Sequence, residues 1–259
     1  MPVRISRQGP AAVVTLDWPQ KRNVLGPPQG RELTDALVEV GHDPDVKVVI
    51  LTGNGAFSAG GDLTALRELA ARGPAVVRDN IYGVFQKLIT TLVGLPVPTI
   101  AAIDGPAIGI GLDVALACDH RIIGPDGWLA QGWAALGLIP GTGGVSLMQH
   151  VAPGALWTTL GSSERMTPSG AERLGLAVAS SGGALSAAHV DADRLGRLPR
   201  ATLTGYVELS RAELRERLPG HLEACLRLQV DLVASPDFLE RTSRFASPTR
   251  PATVAEAGE

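Results

Sequence analysis

The chain has 259 residues and a formal net charge of −3, from 23 basic and 26 acidic side chains. That length admits one large domain or a main domain with an appendage, and that charge gives no general attraction for nucleic acid or a membrane surface, so any phosphate recognition has to be local. Two cysteines without metal or redox spacing, and no stretch near the ~20 apolar residues of a membrane span, point away from a disulfide framework and toward a soluble, reduced, cytoplasmic protein.

Val3–Ser6 and Ala12–Leu16 are rich in β-formers and separated by Gln8-Gly9-Pro10, which predicts a hairpin leading the chain into a sheet. Pro27 to Val40 carries Leu33, Ala36, Leu37 and Val40 at helical spacing and runs into the stop signal His42-Asp43-Pro44. Lys47–Thr52 reads as a strand. Its run Val48, Val49, Ile50, Leu51 does not alternate, so it is expected to be covered on both faces, as in a parallel sheet flanked by helices. Helices are predicted over Leu63–Arg72 and Ala75–Leu95, the second ending ahead of Pro96-Val97-Pro98. A strand at Thr99–Ile103, an apolar helix at Leu112–Cys118 and a short strand at Arg121–Ile123 follow. The recurring strand, turn, helix unit implies right-handed crossovers, with functional groups in the turns at the carboxyl ends of strands.

Beyond Gly144, helical patterns occupy Val145–Val151, Pro168–Leu174, Ser210–Leu218, His221–Ala234 and Phe238–Phe245, with Pro219-Gly220 and Ser235-Pro236 read as breaks. Ser181–Leu185 reads as a joint. The chain then divides into a core domain, 1–195, and a helical C-terminal region, 196–259, which packs on its own body or on a neighbouring subunit. From Pro248 onward the composition predicts a frayed tail.

Two glycine-rich turns follow predicted strands and precede helical patterns: Phe57-Ser58-Ala59-Gly60-Gly61-Asp62-Leu63 and Asp104-Gly105-Pro106-Ala107-Ile108-Gly109-Ile110-Gly111-Leu112-Asp113. Each can aim free backbone N–H groups at one oxygen. Two such donors form an oxyanion hole, worth on the order of 2.7–4 kcal/mol per donor to a carbonyl gathering negative charge. The plain alternative is tight turning and close helix–sheet packing. No Gly-x-Ser-x-Gly elbow occurs, and the five histidines are scattered without ligand spacing, so no metal site is expected.

The ordered set Leu51-Thr52-Gly53-x-Gly55-x-Phe57-Ser58-Ala59-Gly60-Gly61-Asp62-Leu63, Ile103-x-Gly105-x-Ala107-x-Gly109-x-Gly111, Ala117-Cys118-Asp119 and Gly137-Leu138-Ile139-Pro140-Gly141-x-Gly143-Gly144, with Pro19-Gln20-Lys21-Arg22-Asn23-Val24-Leu25 near the start, resembles the crotonase superfamily, the enoyl-CoA hydratase/isomerase family. The match runs from about residue 3 to 180. The resemblance implies an α/β fold, a spiral of repeated ββα units with a helical C-terminal region that makes trimers or dimers of trimers. It implies an acyl-CoA thioester as substrate, with coenzyme A entering only as part of that substrate and no further cofactor. By the same resemblance the oxyanion donors are the N–H groups of Gly61 and Ile110. Lys21, Arg22, Val24, Ser58, Gly60, Asp62, Leu63, Ala107, Gly109 and Trp133 are expected around the thioester, with Lys21 and Arg22 otherwise an ordinary solvated loop pair.

Hydratases of this family use two glutamates, and their positions correspond here to Asp113 and Trp133. An indole N–H only donates, so Trp133 cannot hold or deprotonate water, and it is expected to line the acyl pocket. Asp113 keeps a carboxylate one methylene shorter, either as the surviving acid/base or as a helix-start acid stabilising the macrodipole. Gln131 is a weaker candidate for a substrate contact. Gly141 stands where a decarboxylase branch has a tyrosine. One acid/base favours isomerase, lyase or C–C hydrolase chemistry over hydration; the competing expectation is a non-catalytic acyl-CoA-binding protein.

Overall fold

The structure, a computed structural model, describes residues 3–160 and 165–245. The frayed tail expected from Pro248 lies outside them. Strands β1 (Val3–Gln8) and β2 (Ala11–Leu16) form the predicted hairpin, with Val3 opposite Leu16 and Gln8 opposite Ala11. The chain then runs through α1 (Pro27–His42), β3 (Val48–Gly53), α2 (Leu63–Ala70), α3 (Pro74–Val77), α4 (Gly83–Gly94), β4 (Thr99–Ile103), β5 (Pro106–Ile108) and α5 (Ile110–Leu116). Next come β6 (His120–Ile123), β7 (Trp128–Ala130), α6 (Gly144–Val151), α7 (Ala155–Leu160), α8 (Pro168–Arg173), β8 (Val178–Ala179), α9 (Ala184–Gly196), α10 (Arg200–Val233) and α11 (Pro236–Arg241).

The main sheet has the order β1-β2-β3-β4-β6-β8 and is parallel from β2 onward. A small parallel sheet pairs β5 with β7. Each of β4-β5 and β6-β7 therefore gives one strand to each sheet before the chain turns helical, which is the ββα spiral expected from the resemblance. The unbroken apolar strands explain why helices lie on both sides. Val49 and Leu51 face the core under α1 and α4, whereas Val48 and Ile50 face α9. Both sets are fully buried, as the lack of alternation in β3 requires.

Four local features depart from the sequence reading. The helix expected over 75–95 is interrupted by a π-helical turn, Arg78–Tyr82, between α3 and α4. The wider turn lets the consecutive residues Ile81 and Tyr82 both enter the interior. α5 begins at Ile110 rather than Leu112, because Gly109 already serves as its N-cap. The segment 181–185 is no free joint: Ala184 opens α9, whose Ala184, Ala188 and Ala192 lay a row of methyl groups on the sheet. Alanine gives a weak hydrophobic signal, so this helix was not legible.

The fourth is Pro219, which does not break the chain but lies inside the 34-residue α10. An internal proline costs ~3 kcal/mol or more in a helix. The buried row Leu214, Leu218, Leu222 and Cys225 offsets it. So does Arg211, which donates to the carbonyls of Val93 and Leu95 at 2.9 Å each and pairs with Asp119. Leu214, Leu218, Leu222, Val233 and Phe238 belong to the same core as Leu51, Leu88 and Leu112. The C-terminal helices thus pack on their own body, and residues on both sides of position 195 share one interior. Cys118 and Cys225 are free and buried, and no described helix is long and apolar enough to cross a membrane.

Candidate active site

The two glycine turns are held together through their main chains. Ser58 N donates to Pro106 O at 2.8 Å and Ile108 N donates to Ser58 O at 3.0 Å, a parallel bridge between Ser58 and Ala107. The turn that follows a short 3-10 helix, Pro19–Lys21, is tied to the same point: Ala59 N donates to Arg22 O at 2.8 Å, and the Ser58 hydroxyl to Asn23 O at 2.8 Å. Asn23, fully buried, donates its amide to Ala56 O at 2.6 Å. Gly111 packs so closely on this junction that a Cβ there would lie 2.7 Å from Ser58 Cβ and 2.8 Å from Ser58 O.

This bracing leaves two N–H groups unclaimed by it. Leu25 N donates to Gly60 O and Asp62 N donates to Leu25 O, so Leu25 engages the residues flanking Gly61 and leaves the N–H of Gly61 directed away from it. Ile110 is the first residue of α5, and its N–H is one of the four that a helix cannot satisfy internally. The turn before it depends on Gly109, whose φ of 52° and ψ of −117° suit glycine. A Cβ at Gly61 would be 3.8 Å from Ile110 Cγ2, so the two residues are neighbours. Both residues line one cleft, whose other walls come from Leu63, Leu66, Ile81, Tyr82, Phe85, Trp133, Leu136 and Thr142 among others.

Asp113 stands behind this cleft, with Trp133 and Thr142 on the cleft wall and bonded to it. Trp133 Nε1 donates to its Oδ2 at 3.1 Å, and the Thr142 hydroxyl donates to the same oxygen at 2.5 Å. The other oxygen faces the start of α6, where a Cβ at Gly144 would come within 2.1 Å of Oδ1. Burial pushes the Asp113 carboxyl up to about 7 against the opposing effect of the Thr142 and Trp133 hydrogen bonds. The neighbouring Cys225 thiol on α10 is pushed up to about 11 by burial and by the Asp113 charge, so it stays neutral near pH 7.

The remaining expected site residues fall into three groups. Gly60, Asp62, Leu63 and Gly109 line the cleft with Gly61, Ile110 and Trp133; the Asp62 carboxylate also caps α2 by accepting from Ala65 N at 3.0 Å. Ser58 and Ala107 are buried behind the wall as the bridge between the turns. Lys21 and Arg22 are exposed and Val24 is half-buried on the adjoining turn, beside the cleft residue Leu25. Gln131 satisfies backbone: its Oε1 accepts from Trp133 N at 3.2 Å. No group of three or more His, Cys, Asp or Glu among the described residues could hold a metal ion.

Thr142 and Tyr82 escaped the sequence reading. Thr142 is the unspecified position between Gly141 and Gly143, where a single hydroxyl carries no pattern. Tyr82 falls in the π-helical turn, off the regular stripe. Its ring lies against Gly141, where a Cβ would meet it at 2.5 Å, and its hydroxyl accepts from Gln229 Nε2 at 2.7 Å. Burial holds the Tyr82 phenol far above its usual range, and it remains neutral. The space beside position 141 is thus filled by a residue from another helix.

Comparison with known proteins bears on the family and the fold. The family model described as enoyl-CoA hydratase/isomerase matches residues 6–251. A Mycobacterium tuberculosis protein named "Probable enoyl-CoA hydratase EchA14" is 34% identical over 253 residues, which cover 93% of this chain and 95% of that protein. A Salmonella arizonae carnitinyl-CoA dehydratase is 37% identical over 177 residues, 67% of this chain and 66% of its own length. The crystal structure of a Mycobacterium avium subsp. paratuberculosis enoyl-CoA hydratase superposes with a TM-score of 0.81 at 26% identity, covering 96% of this chain and 98% of the other. The Bacillus halodurans enoyl-CoA hydratase structure, at 22% identity, TM-score 0.88 and coverage of 94% and 100%, supports the fold alone.

Proposed function

The chain belongs to the enoyl-CoA hydratase/isomerase family, and from that premise we propose that it is an enzyme that binds an acyl-CoA thioester and stabilises its enolate between the N–H groups of Gly61 and Ile110. The observation that carries this reading is that Gly61 and Ile110 line one apolar cleft, with the N–H of each left out of the bonds that brace its turn. A thioester carbonyl oxygen seated there gathers charge as the α-proton leaves, and donors fixed in advance stabilise that state more than the ground state. Lys21 and Arg22, exposed beside the cleft, suit the phosphates of the coenzyme A portion.

The proton-transfer equipment favours isomerase, lyase or C–C hydrolase chemistry over hydration. Hydration needs one group to deprotonate water and another to protonate the α-carbon. Asp113 can exchange a proton near neutral pH, whereas Trp133 binds to it as a donor only. The test is turnover of a panel of enoyl-, β-hydroxyacyl- and β-ketoacyl-CoA thioesters. Double-bond migration or carbon–carbon cleavage that is lost in Asp113→Asn is the expected result; crotonyl-CoA hydration at comparable rates in both proteins overturns it.

A second reading, an acyl-CoA-binding protein without chemistry, draws on the position of Asp113 behind the cleft wall. It requires tight acyl-CoA binding by calorimetry with no α-proton exchange. A homotrimer is the assembly we infer from the family, with the exposed Tyr206, Leu209 and Leu228 of α10 as apolar surface for it; light scattering reads the mass directly.

A further inference from the structure

We propose that the acyl group taken by this cleft is short, about four to six carbons, that it carries neither a charge nor a polar substituent, and that the Phe85 and Tyr82 rings set its length. The proposal rests on the acyl-CoA reading above and narrows its substrate class.

Polarity is decided by where the lining side chains spend their polar atoms. Asp62, Tyr82, Trp133 and Thr142 are the polar side chains on the walls among the described residues, and each is already engaged. Trp133 Nε1 and the Thr142 hydroxyl both donate to Asp113 Oδ2, behind the wall. The Tyr82 hydroxyl accepts from Gln229 Nε2 at 2.7 Å, and the Asp62 carboxylate accepts from Ala65 N at 3.0 Å as the cap of α2. A polar atom carried in on the acyl chain would leave water and find no partner of its own, and an ionised one would lose far more. Among the described residues no basic side chain lines the cleft, and the one charged side chain that does, Asp62, has the same sign as an acyl carboxylate.

Length is decided by what stands behind the walls. An apolar cavity of ~150 Å³ holds one benzene ring, so the cleft's volume of about 120 Å³ gives room for roughly five carbons. Two of its aromatic walls have main chain at their backs. Phe85 lies on α1, where a Cβ at Gly30 would come within 2.8 Å of Phe85 Cε1. Tyr82 lies on Gly141, where a Cβ would come within 2.5 Å of Tyr82 Cε1, and its hydroxyl is tied to Gln229 on α10. The two glycines are seats for the two rings. A longer chain pressing on them meets rings with no space to retreat into, and a close-packed interior gives way to added methylenes only at a cost.

Calorimetry on the full chain tests both halves. Acetyl-, butyryl-, hexanoyl- and octanoyl-CoA read the length. Affinity should peak at butyryl- or hexanoyl-CoA and fall ~10-fold or more at octanoyl-CoA, the scale of a single methylene in a hydrophobic pocket; octanoyl-CoA bound as tightly as hexanoyl-CoA overturns the length limit. Succinyl- and 3-hydroxybutyryl-CoA, each beside butyryl-CoA, read the polarity. The first should bind ~10²-fold or more weakly and the second ~10-fold or more weakly, and equal affinity for either overturns the polarity rule. Phe85→Leu and Tyr82→Leu remove ring volume, and each should raise the ratio of octanoyl- to butyryl-CoA affinity by ~10-fold. A ring that served only to hold the fold would weaken every length by the same factor, and an unchanged ratio in both variants overturns the assignment of the rings. The wild-type series needs no variant, so it decides the length limit even where a variant fails to fold. Tight binding of all these thioesters alike defeats this proposal and leaves the acyl-CoA reading standing, whereas no thioester bound more tightly than free coenzyme A defeats that reading as well.

Discussion

The two sides of the cleft are made of different material. The Gly61 and Ile110 side is backbone, braced by the Ser58–Ala107 bridge and by the turn at Arg22–Leu25. The Asp113 side is three side chains from α5, the 134–136 turn's N-cap and the α6 approach, meeting at one carboxylate oxygen. A backbone donor is indifferent to the residue that carries it, so the proposed role at position 110 is open to an isoleucine. A proton-transfer group is its side chain, so on the proposed reading an indole at 133 in place of a carboxylate changes the chemistry while the fold around it stands.

Asp113→Asn should break the contrast most sharply: we expect a loss of ~10²–10⁴-fold in α-proton exchange with acyl-CoA affinity nearly unchanged, measured by exchange and calorimetry on the same protein. The same substitution should also change the pH dependence of stability. Between the ordinary carboxylate range and about 7 the folded chain keeps the Asp113 proton that the unfolded chain has lost, so this group's contribution to stability falls as pH rises through that window. Denaturation midpoints from pH 4 to 8 should therefore decline more steeply in wild type than in Asp113→Asn.

Gly111→Ala attacks the other side. Its new methyl group would meet Ser58 backbone and side chain at once, and overpacking of this kind costs ~1–3 kcal/mol. Here acyl-CoA affinity should fall together with the unfolding midpoint, the reverse of the Asp113 pattern. Trp133→Phe keeps an aromatic side chain, though a smaller one, and removes one hydrogen bond to Asp113, worth about 1.5–3 kcal/mol when the acceptor is charged. The exchange pH midpoint should move upward from about 7, as an ionised Asp113 loses a donor. Smallest of all, Lys21→Ala with Arg22→Ala should leave thermal stability within ~0.5 kcal/mol and weaken coenzyme A binding in a salt-dependent way.

The same division decides what could be read in the sequence. Glycines at 60 and 109, both at positive φ, announce turns because few residues can replace them, and a run such as Val48–Leu51 announces a strand covered on both faces. Asp113 and Trp133 were visible as departures from a family pattern. Their mutual hydrogen bond was not, because it joins residues 20 apart through the fold. Thr142 and Tyr82 were hidden for a related reason: a single hydroxyl acquires meaning only from the partner that folding brings to it. Pro219 misled because a local breaker is judged by its neighbours in sequence, while Arg211 and the leucine row of α10 hold the helix through distant contacts.

One more consequence lies at the far end of the chain. Arg67 on α2, the helix that follows the Gly60-Gly61 turn, donates to Leu239 O at 2.8 Å and to the Thr242 hydroxyl, and Thr64 donates to Phe245 O at 3.3 Å. These contacts close loops of more than 170 residues. During synthesis, when chains emerge at ~5–20 residues per second, the first glycine turn is out of the ribosome well before its last supports have been made. α2, which follows that turn, thus gains part of its support only once residues 239–245 are in place.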